Sequence, residues 1–185
     1  MWAKNLNDLK YSKATQELVA CWQDLPRYDG LVCPKRSDFS SIRIGAFLAE
    51  VFISEWIGDE NLSIIQAGTK LDRVLGKDIT GQNIFDVLPL ELLAEELKYY
   101  HTLRDTPCAG MITRSALNLK GKPVIYRTMQ LPLADSHGNV RYFVGTGVAL
   151  SENILQQEFN ITSCDHVELL ERLYFDIGAG VPAEG

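Results

Sequence analysis

Long apolar runs are missing from this 185-residue sequence, and none approaches the roughly 18 residues that a membrane span needs. The residues after Met1, WAKNLNDLKYSK, are polar where a secretion signal would be apolar. Basic residues are not clustered either, since the densest group holds only Lys35 and Arg36 in a chain of net charge -6. These absences predict a cytoplasmic protein that binds neither a membrane nor nucleic acid.

Cysteine pairs and catalytic motifs are also missing. The four cysteines, Cys21, Cys33, Cys108 and Cys164, lie far apart and form no C-x-x-C pair, so neither a zinc site nor a disulfide framework is predicted. The sequence contains no G-x-S-x-G elbow, no phosphate-binding P-loop and no H-E-x-x-H pattern. We therefore predict no metal site and no enzyme activity.

The N-terminal 41 residues are predicted to form an amphipathic helix and an ordered loop. Pro26 and Gly30 end the helix, and Pro34 fixes the backbone of the loop that follows. The apolar residues of the helix recur at spacings of three and four, as a buried helical stripe requires: Tyr11, Ala14, Leu18, Trp22 and Leu25.

Five β-strands are predicted in the central part of the chain. Runs rich in β-branched and aromatic residues are separated by turn sequences such as GDEN, KGKP and DSHGN, which favour hairpins. The predicted strands cover residues 51–57, 62–66, 109–119, 124–133 and 140–150.

Helices are predicted between and after these strands. Residues 69–88 offer several caps and stops but no sustained apolar period, which favours several one-turn helices. A longer helix follows Pro89, with Leu93, Leu97 and Tyr100 as its buried stripe.

A second amphipathic helix is predicted near the C-terminus. It begins at Ser163 or Asp165, buries Leu169, Leu170 and Leu173, and precedes a frayed tail.

This order of elements predicts an α+β fold with a five-stranded antiparallel sheet and short helices on one face. Amphipathic helices flank it at both ends. The predicted core domain covers residues 42–151, and the C-terminal helix and tail cover residues 152–185.

The order resembles the PAS domain, whose sheet and short helices form a small-molecule or cofactor pocket in many sensory proteins. AGTKLDRVLGKDITGQNIFDVLP is similar to the PAS passage from a strand through short helices to a proline, and PLADSHGNVRYFVGTGVAL resembles the final PAS hairpin. The resemblance spans about residues 16–151 and implies a PAS-like fold more firmly than any one function.

The residues before the core are similar to a bacterial subfamily of mostly stand-alone PAS proteins. ELVACWQDLP resembles its tryptophan-containing helix, and Pro34, Arg36 and Asp38 match its Pro-x-Arg-x-Asp loop. The chain departs from that subfamily at Gln66, where an arginine is common. The resemblance implies a homodimer with a signalling protein as partner.

The cofactor of such a pocket is left unknown by the sequence. Flavin adduct chemistry needs a cysteine on the short helices, and residues 69–88 contain none. A haem sensor commonly uses a histidine of the long helix, where His101 lies, but a polar residue at a helix end is the commoner role for it. His137 and His166 lack the neighbours that a metal site needs.

Arg127 raises a sharper question because it alternates with the apolar residues Ile125, Met129, Leu131 and Leu133. An internal carboxylate or the sheet margin satisfies such a charge, or else it binds a ligand carboxylate or phosphate. Arg104 and Arg114 are weaker candidates that surface solvation explains equally well.

The predicted pocket residues have core packing as their alternative role. They combine aromatic, apolar and charged side chains of the long helix and the two strands after it: Tyr100, His101, Arg104, Met111, Arg127 and Met129.

Three functions stay open. The leading prediction is a sensory or regulatory PAS-like domain that acts through protein contacts, with or without a small-molecule ligand in its pocket. The second is a small α+β enzyme that uses a buried carboxylate, for which Glu55 and Asp135 are the strand-end acids. The third is an interaction module with an occluded core.

Overall fold

The computed structural model describes residue 6 and residues 11–75, 78–117, 123–150 and 167–182. Three α-helices, three 3-10 helices and six strands lie in these ranges. The helices are α1 (Lys13–Gln23), α2 (Thr69–Leu75) and α3 (Leu90–Asp105), and the 3-10 helices are Arg36–Asp38, Ser41–Glu50 and Ile84–Val87. The strands are β1 (Val51–Gly58), β2 (Asn61–Ala67), β3 (Cys108–Leu117), β4 (Pro123–Ala134), β5 (Val140–Ala149) and β6 (Glu168–Asp176).

The strands form one antiparallel sheet in the order β2-β1-β5-β4-β3-β6. Alternating apolar residues and turn sequences predict its first five strands, and the structure confirms them. Within the described ranges, no helix has the length and apolar character needed to cross a membrane.

The predicted C-terminal helix is wrong in its described part, because Leu169, Leu170 and Leu173 lie on β6. The four-residue spacing of Leu169 and Leu173 suits either a helix or a strand, but the burial of Leu173 and Phe175 follows a period of two. The predicted starting residues, Ser163 and Asp165, lie outside the described residues.

Residues 177–182 turn away from the end of β6 in an ordered way. The Asp176 carboxylate accepts hydrogen bonds from the N–H groups of Gly178, at 2.7 Å, and Gly180, at 2.9 Å. Such a carboxylate-capped turn fixes the first part of the tail that the sequence predicts to be frayed.

The two faces of the sheet carry different helices. Thr15 of α1 hydrogen-bonds Thr146, whose strand partner is Met129, itself paired with Met111. We call this side the α1 face. Tyr99 of α3 donates a hydrogen bond to Gln130, whose strand partners are Gly110 and Gly145. We call that side the α3 face.

Residues of α1 fix this helix on the sheet by both packing and hydrogen bonds. Ser12 caps its N-terminus by accepting from the N–H of Thr15, and Leu18 and Trp22 are buried. The indole N–H of Trp22 donates to the carbonyl oxygen of Pro132 at 2.9 Å. The predicted amphipathic helix is therefore confirmed, and it lies across the α1 face.

We expect Trp22→Phe to lower the free energy of unfolding by about 1–3 kcal/mol, because a buried carbonyl loses its donor. Trp56→Phe is the matched control, since Trp56 is also buried but its indole nitrogen has no hydrogen-bond partner among the described residues. Urea denaturation of both variants measures the difference. Equal losses for the two would contradict a stabilising role for the Trp22 hydrogen bond.

Candidate functional site

The interior under α3 contains a hydrogen-bonded group of polar and aromatic side chains. The hydroxyl of Tyr99 donates to Gln130 Oε1 at 2.6 Å, and Gln130 Nε2 donates to the Tyr100 hydroxyl at 3.3 Å and to Thr128 Oγ1 at 3.0 Å. Tyr100 packs edge-on against Tyr99 and lies near the ring of Phe143. We call Tyr99, Tyr100 and Gln130 the tyrosine–glutamine network.

The network occupies a space that the backbone leaves narrow. Gly110 lies under Tyr99, and a Cβ atom at Gly110 would collide with the Tyr99 hydroxyl. A Cβ atom at Gly145 would collide with the carbonyl oxygen of Met129 and with the ring of Phe52. Glycine is needed at both positions because neighbouring atoms come too close to the strand backbone for a side chain.

A buried ion pair joins α3 to β3 beside this network. Glu96 Oε2 lies 2.6 Å from Arg114 Nη2, and the two side chains are 1% and 5% exposed. Such a pair is costly to desolvate, and the loss of either partner leaves a charge in the interior. Of the two alternatives left open for Arg114, the solvated surface charge is therefore wrong.

A second arginine reaches the same carboxylate from β6. Arg172 Nη2 lies 3.7 Å from Glu96 Oε1, and Arg172 Nη1 donates to Glu95 Oε2 at 3.2 Å. The Arg172 guanidinium also lies 5.4 Å from the centre of the Tyr99 ring, in a cation–π contact. The sixth strand thus contributes directly to the contacts around α3.

Burial sets the protonation states in this region. Burial raises the pKa of both Tyr99 and Tyr100 above the ordinary tyrosine value, so both hydroxyls stay protonated and serve as donors or acceptors. Burial acts to lower the pKa of Arg114, but Glu96 and the neighbouring tyrosines outweigh it, and the pKa is raised. Arg114 therefore stays charged.

A cluster around Trp56 closes the other end of α3. The His101 ring packs edge-on against Trp56, and the Arg104 guanidinium lies 4.9 Å from the centre of the same indole. His101 Nε2 is 2.6 Å from the carbonyl oxygen of Asp59, and Arg104 donates to the Asp59 carboxylate at 3.0 Å. These contacts tie the end of α3 to the turn between β1 and β2.

Two buried polar atoms of β1 have no hydrogen-bond partner among the described residues. They are Ser54 Oγ and Trp56 Nε1, and their residues are 0% and 6% exposed. Alternation along β1 places both on one side of the strand, and the contact of Trp56 with Phe85 and His101 shows that this is the α3 face. Like Arg114 Nε, which also lacks a hydrogen-bond partner among the described residues, they could bind a polar group in the interior.

The structure divides the six predicted pocket residues among three places. Tyr100 belongs to the tyrosine–glutamine network, while His101 and Arg104 lie at the rim beside Trp56. Met111, Met129 and Arg127 lie on the α1 face, because Met111 pairs with Met129 and Met129 pairs with Thr146. The sheet therefore separates these three residues from Tyr100.

Arg127 has partners within the sheet. Its Nε donates to Thr113 Oγ1 at 3.0 Å, and its Nη2 lies 3.6 Å from Glu171 Oε2. Thr113 lies on the neighbouring strand β3 and Glu171 one strand further, on β6, both on the α1 face, and the Arg127 side chain is 25% exposed. Because Glu171 is 34% exposed, these contacts match the alternative in which Arg127 reaches the sheet margin, and its binding to a ligand stays a prediction.

The long helix turns a different side to the core from the predicted one. Tyr100 is buried as predicted, but Leu93 and Leu97 are only partly buried, and the fully buried side chains include Glu96, Tyr99 and Leu103. In a sequence, a glutamate next to the apolar residues of a helix is normally assigned to the surface, because a buried carboxylate needs a partner. Arg114 is that partner, and it lies on another element, where periodicity cannot find it.

Metal and haem sites gain no support from the geometry. Among the described residues, no three His, Cys, Asp or Glu side chains come together as metal ligands do. The ring nitrogen of His101 that faces Asp59 already has a hydrogen-bond partner. Cys33 and Cys108 are buried free thiols, and burial raises their pKa values to about 11 and about 12.

The two acids of the enzyme hypothesis have structural partners. Glu55 pairs with Arg141 at 2.9 Å on the surface of β1. Asp135 accepts hydrogen bonds from the N–H groups of His137 and Asn139, which caps the turn between β4 and β5. Neither arrangement resembles a general acid or base facing a cavity.

An antiparallel sheet with short helices packed over one face and a polar group of side chains between them defines an α+β domain. The sequence profile of a PAS domain family matches residues 10–148. The chain therefore belongs to the PAS domain family, and membership indicates a sensory or regulatory role. No curated protein matches the sequence.

Several solved structures of other proteins are similar to this chain at low identity. The chain is similar to an RNA-binding light-oxygen-voltage receptor, with 14% identity and a TM-score of 0.50 over 69% of this chain and 37% of that one. It is also similar to the light state of the blue-light photoreceptor Aureochrome1 LOV, with 18% identity and a TM-score of 0.44 over 57% and 84%. VqmA of Vibrio cholera, in a complex with ligand and DNA, gives 13% identity and a TM-score of 0.47 over 64% and 55%.

We expect Arg114→Met to lower the free energy of unfolding by about 3–5 kcal/mol, because it leaves Glu96 buried without its nearest counter-charge. The double variant Glu96→Leu, Arg114→Met should be more stable than Arg114→Met alone. Urea denaturation of the two single variants and the double variant gives the coupling energy. Additive losses would contradict a direct interaction between the two side chains.

Proposed function

We propose that this PAS domain is a regulatory module that acts through protein–protein contacts and that its interior does not need a bound cofactor. One observation carries the proposal: the buried tyrosine–glutamine network lies between α3 and the sheet, beside the Glu96–Arg114 ion pair. Side chains that satisfy one another's hydrogen bonds leave a ligand little to bind.

The signal then passes through surfaces, and α1 is the element proposed to carry it. Its inner side is held on the sheet by Thr15 and Trp22. Its outer side is exposed and lies next to the 3-10 helix Ser41–Glu50, with a cleft of about 300 Å³ between them. Charged residues from both elements line the cleft, namely Glu17, Asp24 and Arg43. A partner bound there would shift α1 against the sheet.

The partners that we propose are a second copy of this chain and a signalling protein. The homodimer is supported by the family resemblance of the N-terminal helix and loop, and a light-scattering mass near 20.7 kDa would contradict it. Nucleic acid is not proposed as a partner, because the net charge is -6 and no basic cluster occurs in the sequence. A cytoplasmic location remains a prediction of the sequence.

A second candidate function is a ligand-gated sensor. The buried Ser54 Oγ and Trp56 Nε1, which lack hydrogen-bond partners among the described residues, favour it. A small polar molecule that accepts from the indole N–H and exchanges a hydrogen bond with the serine hydroxyl would satisfy both atoms. In this case the domain would detect a ligand bound in its interior, and not a partner protein bound at α1.

We expect the double variant Glu17→Lys, Asp24→Lys to lose at least about 90% of the partner protein that the tagged wild-type chain retains from lysate of its natural host, because charge reversal opposes docking. Both residues are exposed, so folding should persist, and circular dichroism checks this. The partner is identified by mass spectrometry from the wild-type sample.

Glu60→Lys, Glu91→Lys is the matched control, with the same change in charge at two exposed residues away from α1. It should retain the partner at the wild-type level. Equal retention by the α1 variant and the wild-type chain would contradict the proposed role of α1, and equal loss from both double variants would show a general charge effect instead.

A further inference from the structure

Glu96 contacts arginines from two different strands. Its Oε2 lies 2.6 Å from Arg114 on β3, and its Oε1 lies 3.7 Å from Arg172 on β6. Each oxygen of one buried carboxylate therefore faces a different strand. A movement of α3 that carries Glu96 changes both distances at once.

Arg172 makes its described contacts to α3 through three residues of that helix. It donates to Glu95, lies near Glu96 and stacks over Tyr99. These residues are spaced so that they form one surface of α3, which faces β6. Because the guanidinium is planar and rigid, its position depends on all three contacts together.

Backbone hydrogen bonds hold β6, the strand that carries Arg172, on one side only. Among the described residues β6 pairs with β3 only, and its ladder has a register shift at Thr113 and Arg114. An edge strand has hydrogen bonds on one side and opens more readily than a central strand. β6 also lies outside the part of the chain that the family profile matches, which ends at residue 148.

We propose that Glu96 and Arg172 couple α3 to β6, so that a displacement of α3 loosens β6 and a loss of β6 contacts loosens α3. The position of α3 then controls how firmly β6 is held on the sheet, and β6 is a second element, besides α1, that can transmit a signal. This coupling is a property of the chain itself and does not depend on a partner at α1. Coupling of this kind is reciprocal, which makes both directions measurable.

Hydrogen–deuterium exchange of the full chain at pH 7 tests the coupling. In Glu96→Gln, the unpaired Arg114 should accelerate amide exchange throughout the domain, and exchange in β6 should accelerate about tenfold more than exchange in the β1–β2 hairpin. Glu95→Gln is the matched control, because Glu95 is exposed and contacts Arg172 but not Arg114. It should accelerate β6 less than Glu96→Gln does.

Arg172→Met covers the case in which Glu96→Gln does not fold, since it leaves the Glu96–Arg114 pair intact. This variant should accelerate exchange in β6 and also in α3, with β1 and β2 unchanged. Unchanged exchange in α3 would overturn the proposal, because it would show that β6 opens without affecting the helix. Equal acceleration in every strand would overturn it too, because the effect would then be global destabilisation.

Discussion

A carboxylate on a helix and a guanidinium on a strand, Glu96 and Arg114, meet 2.6 Å apart in the interior of this PAS domain. Neither charge can be left there without the other, since each would then be desolvated without a counter-charge. The pair therefore fixes where α3 lies along the sheet. The positions of Tyr99, Tyr100 and Arg172 follow from that placement, because the two tyrosines belong to α3 and Arg172 contacts it.

The two faces of the sheet differ in the kinds of contact that hold their helices. The α3 face holds the buried charges and the tyrosine–glutamine network, whereas the α1 face is sealed by apolar packing with a few hydrogen bonds from Thr15 and Trp22. Contacts that resist movement are thus concentrated under α3. The more exposed α1 and the edge strand β6 are the elements best able to change position.

Much of the fold follows from the sequence, and most of the site does not. Period-two runs and turn residues specify β1 to β5, and apolar spacing specifies α1. The pattern around Leu169 and Leu173 fits both a helix and a strand, so β6 is missed. Alternation shows which residues share a strand face, but it cannot show that Arg127 faces α1 while Arg114 faces α3. That distinction depends on contacts between distant segments, such as Glu96 with Arg114.

The central claim is that the interior of the domain does not need a bound cofactor. Its most direct test is the mass of the protein purified from its natural host, measured by native and by denaturing mass spectrometry. An absorption spectrum of the same sample is recorded alongside. The account predicts native ions of the dimer that carry only the mass of the polypeptide, and no visible absorption band. An additional small-molecule mass, or a visible band that is lost on denaturation, would contradict it and favour a ligand bound at Ser54 and Trp56.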